Sequence, residues 1–122
     1  MSLARYELPL PPSLWDMYQG HGKSKHLSQS YRNWRDGAGL MLNTQKRGRP
    51  TITGPFRASI AFKRSSSLAD IDNRIKPVLD LLQFVGVVSN DKYCESVEAK
   101  WADDLPVPCV VIIQQAEESL AA

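Results

Sequence analysis

The stretch Asp70-Ile71-Asp72-Asn73-Arg74-Ile75-Lys76-Pro77 opens a run in which Ile75, Val78, Leu79, Leu82 and Val85 recur at three- and four-residue steps, ending at Gly86. That spacing gathers the apolar side chains on one stripe of a helix, and glycine is the usual residue just past a helix end. Pro77 has no backbone N–H and fits best in a first turn, which predicts Asp70 and Asp72 at or just before the helix N-terminus. Upstream, Phe56 to Lys63 alternates as a half-buried strand with Phe56, Ala58, Ile60 and Phe62 facing inward, and Arg64 to Ser67 reads as a polar turn joining the two.

Working outward, Glu95 to Trp101 alternates with Val97, Ala99 and Trp101 inside, whereas Val107 to Gln115 is unbroken in its apolar character from Cys109 to Ile113. An unbroken apolar run predicts a central strand covered on both faces. Towards the N-terminus, Arg5 to Leu10 places Tyr6, Leu8 and Leu10 on one side until Pro9, Pro11 and Pro12 stop it, predicting an edge strand. Residues 16–26 carry Gly20, Gly22, Lys23, Lys25 and His26 with few apolar anchors and read as a mobile polar loop. From Ser28 to about Gln45, Tyr31, Trp34, Ala38, Met41 and Leu42 keep helical spacing, against the weakening effect of Gly37 and Gly39. Lys46-Arg47-Gly48-Arg49-Pro50 is a basic turn. Trp15, Trp34 and Trp101 read as core or partly buried, with Trp15 the candidate for exposure because it follows a proline turn. The order strand, helix, strand, helix, strand, strand predicts one small two-layer α+β domain over residues 1–122, a mixed sheet of about four strands carrying two helices.

The net charge of +2 conceals an asymmetry: residues 1–76 hold 13 Lys and Arg against 5 acids, and residues 77–122 hold 2 against 8. A basic first part predicts a polyanionic partner, with Lys23, Lys25, Lys46, Arg47, Arg49, Lys63, Arg64 and Arg74 as candidate phosphate contacts. Solvation of two faces would produce the same split. Cys94 and Cys109 lack zinc-ligand spacing and read as free thiols in a reducing compartment. No apolar run nears the roughly 20 residues of a membrane span and no secretory leader opens the sequence, so a soluble cytoplasmic protein with no membrane partner is expected.

Asp70 and Asp72 are two residues apart, and in extended chain both carboxylates then share a face. Carboxylates clustered without a cation repel one another, so the pair suits a hard oxygen-seeking metal such as Mg²⁺, which keeps several waters while substrate phosphate completes its shell. Arg74 and Lys76 stand ready for that phosphate. A plainer reading has Asp72 or Asn73 capping the helix at about 1 kcal/mol, which leaves Asp70 unexplained. Asp91 is the third candidate. A helix from Asp72 to Val85 is about 21 Å long, and five extended residues after Gly86 span roughly 17 Å, enough for Asp91 to return to the first two acids. Asp91 could equally complete the site of a second subunit, or Asn90-Asp91 could be an ordinary turn. The residues by themselves point to a metal-dependent phosphodiesterase acting on nucleic acid, or else to a non-enzymatic nucleic-acid-binding module.

Asp70-x-Asp72-Asn73-x-x-Lys76, the helix face through Asp80, Gly86 and Asp91, and the Pro11-Pro12-Ser13 turn resemble the RusA Holliday junction resolvases, a group common in prophages, over nearly the whole chain. Two departures stand out: Trp15-Asp16 where an asparagine often follows the Pro-Pro-Ser turn, and Asn90-Asp91-Lys92-Tyr93 where the family commonly has a pair of acids. The resemblance implies Asp70, Asp72 and Asp91 as catalytic metal-binding acids and Lys76 as an essential lysine. It further implies Mg²⁺ as cofactor, with Mn²⁺ as an alternative and no small-molecule cofactor. The substrate would be a four-way DNA junction, cut in the nucleoid of a bacterium or its phage during recombination and repair. Because two symmetric nicks need two such acid sets, a homodimer is expected.

Overall fold

The computed structural model describes residues 3–64 and 70–116. A four-stranded mixed sheet has the order β1-β6-β4-β5, built from β1 (Leu3–Leu8), β4 (Phe56–Phe62), β5 (Cys94–Trp101) and β6 (Cys109–Gln115). β6 runs antiparallel to both β1 and β4, and β4 and β5 are parallel. A parallel pair needs a crossover, and α2 (Asp72–Val85) supplies it; α1 (Gln29–Gln45) packs beside α2 and β1. The expected α+β domain with two helices on a mixed sheet is what forms.

Inward alternation fills the core. Phe56, Ala58, Ile60 and Phe62 of β4, Tyr6 and Leu8 of β1, and Cys109, Val111 and Ile113 of β6 meet Ala38 and Leu42 of α1 and Val78, Leu81 and Leu82 of α2, all buried. β6 is central, as its composition predicts, but it is not covered on both faces among the described residues: Ile112 is 37% exposed, and with Ser59, Ala61, Glu98 and Lys100 it lines an open face of the sheet. Central position alone protects its backbone hydrogen bonds, so an apolar run marked the middle of a sheet rather than a second layer. β5, by contrast, is an edge strand, which leaves Val97 40% exposed although its neighbours Ala99 and Trp101 pack on the core.

Three further expectations are corrected. Residues 16–26 are not a featureless loop: β2 (Tyr18–Gln19) and β3 (His26–Leu27) pair as a small hairpin around a 3₁₀ turn at Gly22–Ser24, and Met17 beneath it is buried. Ser28 anchors this hairpin to α1, its hydroxyl accepting the Tyr31 N–H as an N-cap while donating to the Asp16 carbonyl. Pro77 lies in the second turn of α2 rather than the first. The first turn closes tightly, with the N–H groups of Asn73 and Arg74 donating to the carbonyls of Asp70 and Ile71 at 3.3 and 3.0 Å, so the helix begins earlier than the proline suggests. Met41, placed on the core stripe by spacing, is 44% exposed. Trp34 and Trp101 are half-buried as expected, and Trp15 is 79% exposed. The turn expected at Arg64–Ser67 falls mostly on residues 65–69, outside the described residues.

The α1 glycines do not serve close packing. A methyl group on Gly37 would meet nothing within 4 Å, and one on Gly39 would make ordinary contacts at 3.6 Å with Val85 and 3.9 Å with Leu81. Removing the entropic cost of mid-helix glycine gains up to about 1 kcal/mol, so Gly37→Ala is expected to raise the thermal midpoint by about 4 °C, whereas Leu82→Ala costs about 2–5 kcal/mol by opening the core. Thermal and denaturant unfolding of both variants measures this; a destabilised Gly37→Ala would contradict it.

Candidate active site

Each acid reaches its place by a local device. Asp72 is the first residue of α2 and exposed, and Asp70 is exposed just ahead of it. The residue at the helix cap is Ile71, with no side-chain capping bond, so neither Asp72 nor Asn73 caps α2. Asp72 still gains from the positive end of the helix dipole. At the other end, Gly86 adopts the left-handed conformation (φ 93°), ending α2 and turning the chain back, and the Thr51 hydroxyl donates to the Gly86 carbonyl at 2.8 Å. The Ile52 N–H then donates to the Val87 carbonyl at 3.0 Å and its carbonyl accepts the Ser89 N–H at 2.9 Å, holding the returning segment. Asn90 accepts the Lys92 N–H at 2.9 Å and nucleates a 3₁₀ turn over Asp91–Tyr93. Asn90-Asp91 is thus a turn, as the plain reading held, and this turn delivers Asp91 to α2.

There Lys76 Nζ lies 2.8 Å from Asp91 Oδ2 and 2.8 Å from Asp80 Oδ1. Gln83 Oε1 accepts the Asp91 backbone N–H at 2.9 Å. Asp72, Lys76, Asp80 and Gln83 stand at i, i+4, i+8 and i+11, forming one polar stripe along α2 onto which Asp91 docks from the same chain. Asp80 and Gln83 went unassigned in the sequence reading; the signal for Asp80 was its i,i+4 relation to Lys76, and Gln83 offered none.

Charge sharing orders the protonation. The two carboxylates around Lys76 hold its ammonium well above the ordinary lysine range. Burial pushes Asp80 up despite Lys76, and the Lys76 ammonium draws Asp91 down. Lys76 is therefore charged at any working pH.

Among the described residues no three His, Cys, Asp or Glu side chains gather as a potential metal cluster, so Asp70, Asp72 and Asp91 are not drawn together, whereas Lys76 and Asp91 are. The basic candidates are dispersed. Lys23 and Lys25 are exposed in the hairpin segment, Lys25 standing 4.8 Å over the Tyr18 ring. Arg64 lies 3.5 Å from Asp103 and 5.5 Å over Trp101, next to exposed Lys63. Lys46 and Arg49 line a hollow with Val87, at the C-terminal end of α2 and away from Asp72; Arg47 lies exposed in the same turn. Arg74 donates from Nη1 to the Pro11 carbonyl, tying the Pro-Pro-Ser turn to the start of α2.

A carboxylate-flanked lysine on a helix that opens at exposed Asp72, with exposed Asp70 just ahead of it, suits phosphodiester chemistry, and a model of the endodeoxyribonuclease RusA family matches residues 9–113. The chain belongs to the RusA family. No curated protein matches it. Membership makes the chain an endodeoxyribonuclease of the Holliday junction resolving kind, from a family whose nucleases are generally metal-dependent and act on DNA junctions. The match includes the whole of α2 and the Asp91 turn. Among the described residues no helix is long and apolar enough to cross a membrane.

The pairings predict a pH response. Asp91, depressed when folded, contributes stability above the unfolded carboxylate value of about 3.9 and loses it as pH falls. Asp80 has the opposite sign, its contribution declining as pH rises from that value through its raised one. In Lys76→Met both carboxylates lose their cation, so both should titrate higher than in wild type when followed by carboxyl ¹³C shifts. An unchanged Asp91 titration would remove Lys76 as the cause.

Proposed function

We propose that the protein is a Mg²⁺-dependent resolvase that cuts four-way DNA junctions by paired symmetric nicks, as a homodimer, in recombination and repair. The observation that carries this reading is the junction of Lys76 with Asp91 on the α2 stripe that begins at Asp72, within a RusA-family chain. The donor chemistry fits a hard cation. Every acid at this end of the molecule offers oxygen ligands, and Lys76 already shows a positive charge shared between two carboxylates. Asp70, Asp72 and Asp91, which stand apart here, would have to converge to hold the metal, with Mg²⁺ preferred and Mn²⁺ as the alternative. Bound there, it would supply charge neutralisation at the scissile phosphate and a more acidic water.

The chain's own groups have separable tasks. Lys76, fixed in its charged form, meets a phosphate oxygen and stabilises charge that builds there in the transition state. Gln83 orients Asp91 through its backbone N–H, and Asp80 holds the Lys76 ammonium in register. Lys23, Lys25, Lys46, Arg47, Arg49, Lys63, Arg64 and the remaining donors of Arg74 would grip phosphates along the junction arms. Their spread over hairpin, turn and strand end suits a substrate that crosses the surface at several points.

Asp70→Asn, Asp72→Asn or Asp91→Asn should each lower cleavage of a synthetic junction by at least a hundredfold while leaving its affinity equal or tighter, since negative charge facing phosphate is removed. Lys76→Ala should lose cleavage similarly. Gel assays with and without Mg²⁺ measure both quantities, and wild-type rates in the Asp variants would refute the metal assignment. Affinity should also fall steeply with salt, the log–log slope being about −0.9 per phosphate neutralised. Mixed dimers of wild-type and Asp70→Asn subunits should nick one strand without completing resolution; full resolution by a monomer would exclude the paired scheme.

A further inference from the structure

The α2 stripe has a second face. Asp80 and Gln83, which meet Lys76 and Asp91, also form part of the wall of a cavity of about 250 Å³ completed by Tyr18, Tyr31, Arg35 and Phe84. Phe84 is 60% exposed and Tyr18 44%, the Arg35 guanidinium lies 4.4 Å from the Phe84 ring centroid and 6.0 Å from that of Tyr31, and Arg35 Nε is buried without a hydrogen-bond partner. Rings, a guanidinium plane and a few in-plane polar groups recur where proteins take up a single unstacked base.

We propose that this cavity receives one nucleobase of the DNA strand being cut, the base adjoining the phosphate that Lys76 meets beside Asp91. The inference rests on the reading of those two groups as the cleavage centre. Three features favour a base over other occupants. The cavity is smaller than the roughly 300–1,000 Å³ that drug-sized ligands fill, which suits one base. It shares Asp80 and Gln83 with the centre, so a nucleotide whose phosphate lies there has its base within reach. Gln83 has its carbonyl oxygen committed to Asp91 and keeps its NH₂ donors for the edge of a bound base, while Tyr18 and Phe84 offer ring faces. Extruding a base is cheapest where stacking is already interrupted, as at a branch point, so the same cavity favours branched over continuous duplex. Tyr18 and Phe84 are thereby positioning residues that set which nucleotide is cut.

The test uses the full chain and a synthetic four-way junction carrying 5-iodouracil singly at each position around its cut sites. Irradiation should cross-link one labelled position to Tyr18, Tyr31 or Phe84, mapped by peptide mass spectrometry. An abasic nucleotide at that position should slow wild-type cleavage roughly tenfold, and Tyr18→Ala or Phe84→Ala should slow it similarly without any further loss on the abasic substrate. Phe84→Tyr should restore the rate. Cross-links only to other residues, additive losses, or a Phe84 covered by a second copy of the chain would each overturn the proposal. The same labels in a single-stranded oligonucleotide separate it from the proposed function: cross-linking there by a protein that leaves junctions uncut would keep the base site and remove the junction as substrate.

Discussion

The Lys76 ammonium, shared between Asp80 on its own helix and Asp91 from the returning chain, is the contact on which the working end of the molecule depends. Remove it and two carboxylates face each other across α2 with nothing between them, one of them already raised by burial. With it in place, the segment after Gly86 is pinned alongside the helix and Asp91 is kept ionised. Both partners are partly open to water, so the pair adds little to global stability. Its importance is geometric. It decides which acid stands beside the lysine, and it keeps both in the charge states that phosphate chemistry needs.

The architecture delivers these groups by a parallel crossover. β4 leads out of the core, α2 returns over the sheet, and β5 pairs in parallel with β4, so the acids at the start of α2 and the acid just before β5 belong to a single β-α-β unit. The core positions that unit: Val78, Leu81 and Leu82 press α2 onto Phe56, Ile60 and Phe62, fixing the polar stripe on the side turned away from the sheet. The Arg74 bond to Pro11 brings the N-terminal proline turn to the same helix, and the Met17–Leu27 hairpin adds the aromatic wall beside Gln83. A short chain thus assembles one site from four distant segments.

Basic charge is arranged differently from what a linear tally implies. The first part of the chain is strongly cationic, yet Lys46, Arg47 and Arg49 form a turn at the C-terminal, negative end of α2, Lys63 and Arg64 lie where β4 ends, and Lys25 rests on Tyr18. This is a surface dotted with cations rather than one groove. It suits an extended polyanion, and it places several of those cations well away from Asp72.

Alternation along β4, three- and four-residue spacing along α1 and α2, and the stop at Gly86 were decided by the sequence itself, because side-chain periodicity follows from backbone geometry before any tertiary contact forms. The same holds for the family resemblance, since the Asp70, Asp72, Lys76 and Asp91 pattern is local. Other features needed the folded chain. The face of β6 left open among the described residues and the edge position of β5 depend on how the other elements pack, and no strand carries that information in its own composition. The pairing between residues 18–19 and 26–27 rests on Ser28 and buried Met17, contacts a polar composition conceals. The partnership of Asp91 with Lys76 and Gln83, and the recruitment of Asp80, arise only when the chain turns back at Gly86, because electrostatic contacts depend on distance in space and not on separation in sequence.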